Sequence, residues 1–264
     1  MDEAATRHPS LEEEASNPQT PPHRLIELAS QSPELARQIA GNSSAPSELL
    51  KHLAGDENPQ VRLQVAQNPR TPTAVLKQLA RDDDARIRLQ ILRHSQISIA
   101  ILQQLAGDKD VQVRLQVARH LQTPISVFPQ LAKDEARSIR AAIAQHRRVP
   151  IAILQQLAQD KNHLVRRAVA SNPKTPIPLL ETLARDDNQY VRAEVGKNPQ
   201  TPIPLLETLA RDEKSWVRGG VAGNPNLPTP IFETLANDED IWVRGAVARN
   251  LHRHPRSPRE TREK

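Results

Sequence analysis

Residues 172–197, NPKTPIPLLETLARDDNQYVRAEVGK, are followed at once by NPQTPIPLLETLARDEKSWVRGGVAG at 198–223. Asn172-Pro173 ends the preceding helix, because the residue before a proline is pushed out of helical backbone. Thr175 then suits an N-cap, and Pro176 suits the first helical position, where a missing N–H costs nothing. Ile177, Leu180, Leu183 and Ala184 share one face of a short helix, with Pro178 still in its first turn. The turn Asp186-Asp187-Asn188 starts a second helix carrying Val191 and Val195 one turn apart, and Asn198-Pro199 closes the unit. Each unit is thus two short helices, and no strand pattern interrupts them.

The same unit recurs along the chain. Leu-Ala pairs stand at Leu53-Ala54, Leu79-Ala80, Leu105-Ala106, Leu131-Ala132, Leu157-Ala158, Leu183-Ala184, Leu209-Ala210 and Leu235-Ala236, every step being 26 residues. An earlier copy at Leu28-Ala29 lies 25 residues before the first of these. Two short helices per unit cannot bury their apolar stripes alone, so neighbouring units must stack into a continuous core. The expectation is an all-α solenoid of about nine repeats over residues 17–250. The end units look like caps, with Ser30 in place of Asp, Ala45 in place of Thr, and Leu251 in place of the proline after Asn250.

Composition agrees with thin helical layers. The 264 residues include two Trp, one Tyr and two Phe, and the 23 prolines fall mostly at unit boundaries. No cysteine is present, which removes disulfides, thiolate metal sites and cysteine nucleophiles. The first residues hold no apolar run and no stretch is long enough to span a bilayer, so a soluble, cytoplasmic chain without a membrane role is expected. The formal net charge of +5 divides into −4 for 1–16, +6 for 17–250 and +3 for 251–264. The high pI therefore comes from no single basic block. The acidic head 1–16 and the basic tail 251–264 are expected to be disordered.

The string Asn-Pro-x-Thr-Pro-x-x-Leu-Leu-x-x-Leu-Ala-x-Asp, followed by Val-Arg-x-x-Val-Ala-x-Asn, resembles the leucine-rich repeat variant family, most clearly at 172–222. That resemblance implies alternating α and 3₁₀ helices in a right-handed superhelix. The family's founding type carries a cysteine-bound iron–sulfur centre, which this cysteine-free chain cannot inherit, so no cofactor is expected. The Asp and Val-Arg pattern also resembles HEAT-like repeats, which mainly bind other proteins.

Three groups of residues stand out as candidate sites. Arg62, Arg88, Arg114, Arg140, Arg166, Arg192, Arg218 and Arg244 each follow an acid by six residues: Asp56, Asp82, Asp108, Asp134, Asp160, Asp186, Asp212 and Asp238. On a helical wheel each arginine falls beside the valine face, so a structural Asp–Arg ladder is expected rather than a phosphate track. His94, His120 and His146 replace the turn asparagine. They suit a left-handed helix end or, with Arg93, Arg119, Arg147 and Arg148, a basic edge for an acidic partner. A metal site is not expected, since equivalent atoms of adjacent layers are too far apart for one ion. Finally, Leu164, Tyr190, Trp216 and Trp242 occupy one repeat position opposite the valine face. The three aromatics form the row expected of a contact surface.

No phosphate loop, His-Glu-x-x-His motif or nucleophile elbow occurs, so no catalytic residue is expected. The leading expectation is a non-enzymatic scaffold for another protein. The alternatives are nucleic-acid binding through the basic middle edge and tail, and a HEAT-like enzyme such as a DNA-alkylation glycosylase or a bilin lyase.

Overall fold

The computed structural model describes residues 9–251, which divide between two compact units at Pro124 and Ile125. Each unit is a stack of helix pairs, and among the described residues there is no strand. Contacts run mainly between consecutive elements and between second helices one repeat apart, as a repeat solenoid requires. In the unit quoted above, the first helix is Ile177–Leu183 and the second is Gln189–Lys197. Leu180, Leu183, Val191 and Val195 are buried, and their repeat equivalents build the core of both stacks.

The start of each first helix differs from the expectation in a consistent way. Pro176 is the N-cap, in extended backbone at φ −65° and ψ 150°, and Ile177 is the first helical residue. Thr175 does not cap. It is buried, and its hydroxyl donates 2.6 Å back to the carbonyl of Val169 in the preceding second helix. Thr71 makes the same bond to Val65. A buried hydroxyl needs a partner, and the carbonyl near the helix C-terminus, which also accepts the C-cap amide (Asn172 N–H to Val169), has a second lone pair to offer. Because Ile177 sits at the helix start, it points out of the core and is 45% exposed.

The alternation of α and 3₁₀ helices implied by the resemblance is mostly absent. First helices such as Thr73–Leu79 are α-helical, with i→i−3 bonds at their ends, from Val75 N–H to the Pro72 carbonyl at the start and from the Arg81 and Asp82 amides to the Gln78 and Leu79 carbonyls at the finish. Seven residues suffice for i→i−4 bonds, and the proline cap supplies the first carbonyl for both. Among the described residues one 3₁₀ segment occurs, Ile125–Val127, leading into the helix Phe128–Leu131. Pro129 explains it, since it has no N–H to offer the Ile125 carbonyl.

The acidic head is ordered from its ninth residue. Leu11–Ser16 is helical, closed by a capping box between Ser10 and Glu13, and Ala15 is fully buried. Asn42 donates 2.8 Å to the Ala15 carbonyl, which ties the segment to the next repeat. The expected disorder of 1–16 is therefore overturned for 9–16, while residues 1–8 and the tail 252–264 lie outside the described residues.

Candidate binding surfaces

The Asp–Arg ladder is present, but its register is not the one the spacing suggests. Arg166 forks onto Asp186 of the following repeat, at 2.6 Å and 2.9 Å. The aspartate six residues earlier, Asp160, supplies only its main-chain carbonyl, 2.8 Å from the same guanidinium. The pairs Arg62–Asp82, Arg88–Asp108, Arg140–Asp160, Arg192–Asp212 and Arg218–Asp238 repeat this geometry. Asp186 also accepts the amide of Asn188, which closes the turn before the second helix. Burial, the largest influence, pushes the Asp186 carboxyl up, but Arg166 and the Asn188 amide outweigh it and hold it below the usual carboxylate range. The forked bond to Asp186 raises Arg166 in turn. The ladder thus joins layer to layer, and its charges are neutralised inside the fold. Arg114 donates to the carbonyls of Asp108 and Lys109. Arg244, in the last described repeat, reaches the carbonyls of Asp238 and Glu239.

A second ladder escaped the sequence reading. Asn68, Asn198 and Asn224 are buried, and each reaches two carbonyls of the preceding repeat. Asn198, for example, donates to Ala170 at 2.7 Å and to Asn172 at 2.9 Å, and its side-chain oxygen accepts the amide of Gln200. One amide side chain thereby satisfies backbone groups on both sides of a turn. The recurring Asn-Pro boundary carries this signal, but it also reads as a plain helix stop.

The histidines join the same ladder. His94 is buried, with Nε2 3.0 Å from the Asn68 carbonyl and Nδ1 accepting the amide of Gln96. With Nδ1 as acceptor, Nε2 carries the hydrogen and donates, so the imidazole reproduces both functions of the asparagine amide. His120 and His146 accept the amides of Gln122 and Arg148 in the same manner, and Phe128 packs against the His146 ring edge at 4.9 Å. No described residue has positive φ, and His120 and His146 sit in extended backbone. The left-handed reading is therefore wrong, and burial withdraws His94 and His146 from any partner-facing edge.

Of that edge, Arg93, Arg119, Arg147 and Arg148 are exposed. In the first unit Arg93 and Arg119 line one groove of about 620 Å³ with Gln112, Gln116, His120 and Leu121, and no carboxylate lines it. Arg147 and Arg148 belong to the second unit and take no part in it.

In the second unit the aromatic row lies on the surface. Tyr190 is 39% exposed, Trp216 55% and Trp242 76%, with Leu164 at 39% continuing the row. Tyr190 and Trp216 meet edge to face with ring centroids 5.5 Å apart. Their helices can approach because Gly220 faces the Ala193 backbone, where a Cβ would come within 2.4 Å of the carbonyl oxygen. A further apolar row, Ile125, Ile151, Ile177 and Ile203, is exposed along the first helices. Its 26-residue recurrence is plain in the sequence, but placing Ile177 on the apolar face with Leu180 and Leu183 hid it. Among the described residues no group of acids and histidines could hold a metal ion, and no helix is long and apolar enough to cross a membrane.

The polar groups described above thus mostly bond the layers of a repeat solenoid to one another. A family model described as "Leucine Rich Repeat Variant domain" matches residues 9–65, and one described as "Leucine rich repeat variant" matches 59–84 and 163–188. A solved structure titled a leucine-rich repeat variant with a novel repetitive protein structural motif is similar over 84% of this chain and 87% of its own. Its TM-score is 0.62 and its identity 24%. The Escherichia coli protein YibA aligns with TM-score 0.44 and 19% identity over 86% of this chain and 96% of its own. An engineered protein aligns with TM-score 0.38 and 16% identity, covering 92% and 93%. No curated protein sequence matches. Over those residues the chain is similar to the leucine-rich repeat variant family, and its fold is that of the leucine-rich repeat variant structure.

Proposed function

We propose that this chain is a non-enzymatic scaffold that binds another protein through Tyr190, Trp216 and Trp242. One observation supports the reading most directly. The framework spends its arginines, aspartates and asparagines on interlayer bonds, while three large aromatics in consecutive repeats stay 39–76% exposed. Rigid aromatic side chains give large contact area at low ordering cost, which is why they dominate interface energetics. The test is affinity capture from native extract, comparing the wild type with a folded Tyr190→Ala/Trp216→Ala/Trp242→Ala variant. A specific partner lost only with the variant supports the reading, and equal capture by both refutes it. The scaffold is taken to be cytoplasmic, which cell fractionation tests.

A second reading, nucleic-acid binding, draws on the carboxylate-free groove at Arg93 and Arg119. Oligonucleotide affinity that falls steeply with salt, and falls again in Arg93→Ala/Arg119→Ala, would favour it. Flat salt dependence would dismiss it.

A further inference from the structure

We propose that the groove of the first unit binds an extended, acidic segment of a partner protein that carries aliphatic side chains. This site is separate from the aromatic row and does not depend on it. The second helix Ala85–Ile91 ends before Leu92 and Arg93, which continue in a turn. Their equivalents one repeat either side, Ala66-Gln67 and Ala118-Arg119, are still helical. The groove of about 620 Å³ lies between that early end and the helix Val111–Arg119 of the next repeat. Its volume is that of an ordinary ligand cleft.

One wall of the groove is a polar stripe. Gln112, Gln116 and Arg119 stand at i, i+4 and i+7 of one helix, so they share a face, and all three are exposed. Among the described residues no side-chain hydrogen bond engages Gln112 or Gln116, and neither Arg93 nor Arg119 has an ion-pair partner. Each glutamine amide can donate to a peptide carbonyl and accept from a peptide N–H. Helical rise separates Gln112 from Gln116 by about 6 Å, and alternate residues of an extended chain are about 6.6 Å apart. A strand laid along the stripe therefore meets both amides through alternate residues, with Arg119 at one end.

The rest of the lining sets the side chains of the ligand. Leu92 is buried and Leu89 half-buried, which gives the groove an apolar floor. Leu121, 66% exposed, replaces the proline found at Pro69 and Pro173 and adds apolar surface at its edge. Aliphatic side chains on one face of an extended segment would take this surface out of water. Arg93 and Arg119 hold one repeat position in adjacent layers, and no carboxylate lines the groove, so the charge it complements is negative. Nucleic acid fits the same lining less well. No aromatic residue is there to stack a base, and two arginines are few for a duplex carrying one charge per about 1.7 Å.

The experiment titrates the full chain against three fluorescein-labelled probes and follows polarisation. The probes are a hexapeptide of alternating Leu and Glu, its Leu/Lys counterpart, and an oligothymidylate. Two variants, Gln112→Ala/Gln116→Ala and Arg93→Gln/Arg119→Gln, change exposed side chains only, and circular dichroism checks their folding. The Leu/Glu peptide is expected to bind the wild type and to lose about tenfold in affinity with each variant. The Leu/Lys peptide should bind at least about tenfold more weakly than the Leu/Glu peptide. No binding of the Leu/Glu peptide at about 1 mM, equal binding of the Leu/Lys peptide, or unchanged affinity in the glutamine variant overturns the proposal. Oligothymidylate that binds more tightly than the peptide, and loses affinity only in the arginine variant, overturns it in favour of nucleic acid.

Discussion

Arg166→Ala removes one rung of the interlayer ladder, and the structure sets the size of the loss. The guanidinium makes three bonds, two to the Asp186 carboxylate and one to the Asp160 carbonyl. Deleting it leaves Asp186, whose side chain is only 7% exposed, bonded to the Asn188 amide in place of the forked ion pair. Breaking a buried pair from one side costs about 3–5 kcal/mol. Arg166 is 20% exposed, so water recovers part of this and about 3 kcal/mol is expected. For a chain of this size that is a drop of roughly 6–12 °C in Tm. Thermal melts and urea titrations followed by circular dichroism measure it. Arg166→Met/Asp186→Asn removes both charges and should recover much of the loss, because the penalty lies in the orphaned carboxylate. A single variant with wild-type Tm would refute the argument, as would a double variant no better than the single. Either result would mean that Asp186 is solvated rather than held between layers.

The acid limb of stability follows from the same pairs. Asp186 and Asp212 are pushed up by burial, yet their arginines and turn amides hold them below the ordinary range; Asp238 is lowered first by its bond to Arg218. A depressed folded pKa gives stability that is complete above the unfolded value, about 3.9, and lost as pH falls through the folded value. Tm should therefore be nearly flat from neutral pH to about 5 and fall steeply below about 4, and a gradual decline beginning above pH 6 would contradict the assignment. Asn198→Ala strips three bonds from a buried turn and should cost about 2–3 kcal/mol. Asn198→His, which copies His94, should cost clearly less in the same melts. Gly220→Ala drives a Cβ into the Ala193 backbone and should destabilise by about 1–3 kcal/mol while parting Tyr190 from Trp216. Gly219→Ala meets nothing within 4 Å and should stabilise by up to about 1 kcal/mol, so equal effects at the two glycines would refute the close-packing account.

The repeat length, the two-helix unit, the valine and leucine core and the exposure of the aromatic position were all legible in the sequence. Each follows from periodicity, which local physics imposes within one unit: proline ends a helix, an acid–amide turn starts the next, and apolar residues three and four apart share a face. The partners across layers were not legible. Arg166 chooses Asp186 over Asp160, and Thr175 turns from capping its own helix to the carbonyl of the previous one. Asn198 and His94 reach back a full repeat. These choices depend on which carbonyls and carboxylates stacking brings within 3 Å, and spacing along a chain cannot rank them. The tertiary structure also decided which apolar residues stay outside. Ile177 shares the helical period of Leu180 but sits at the first residue of its helix, where no neighbouring layer covers it.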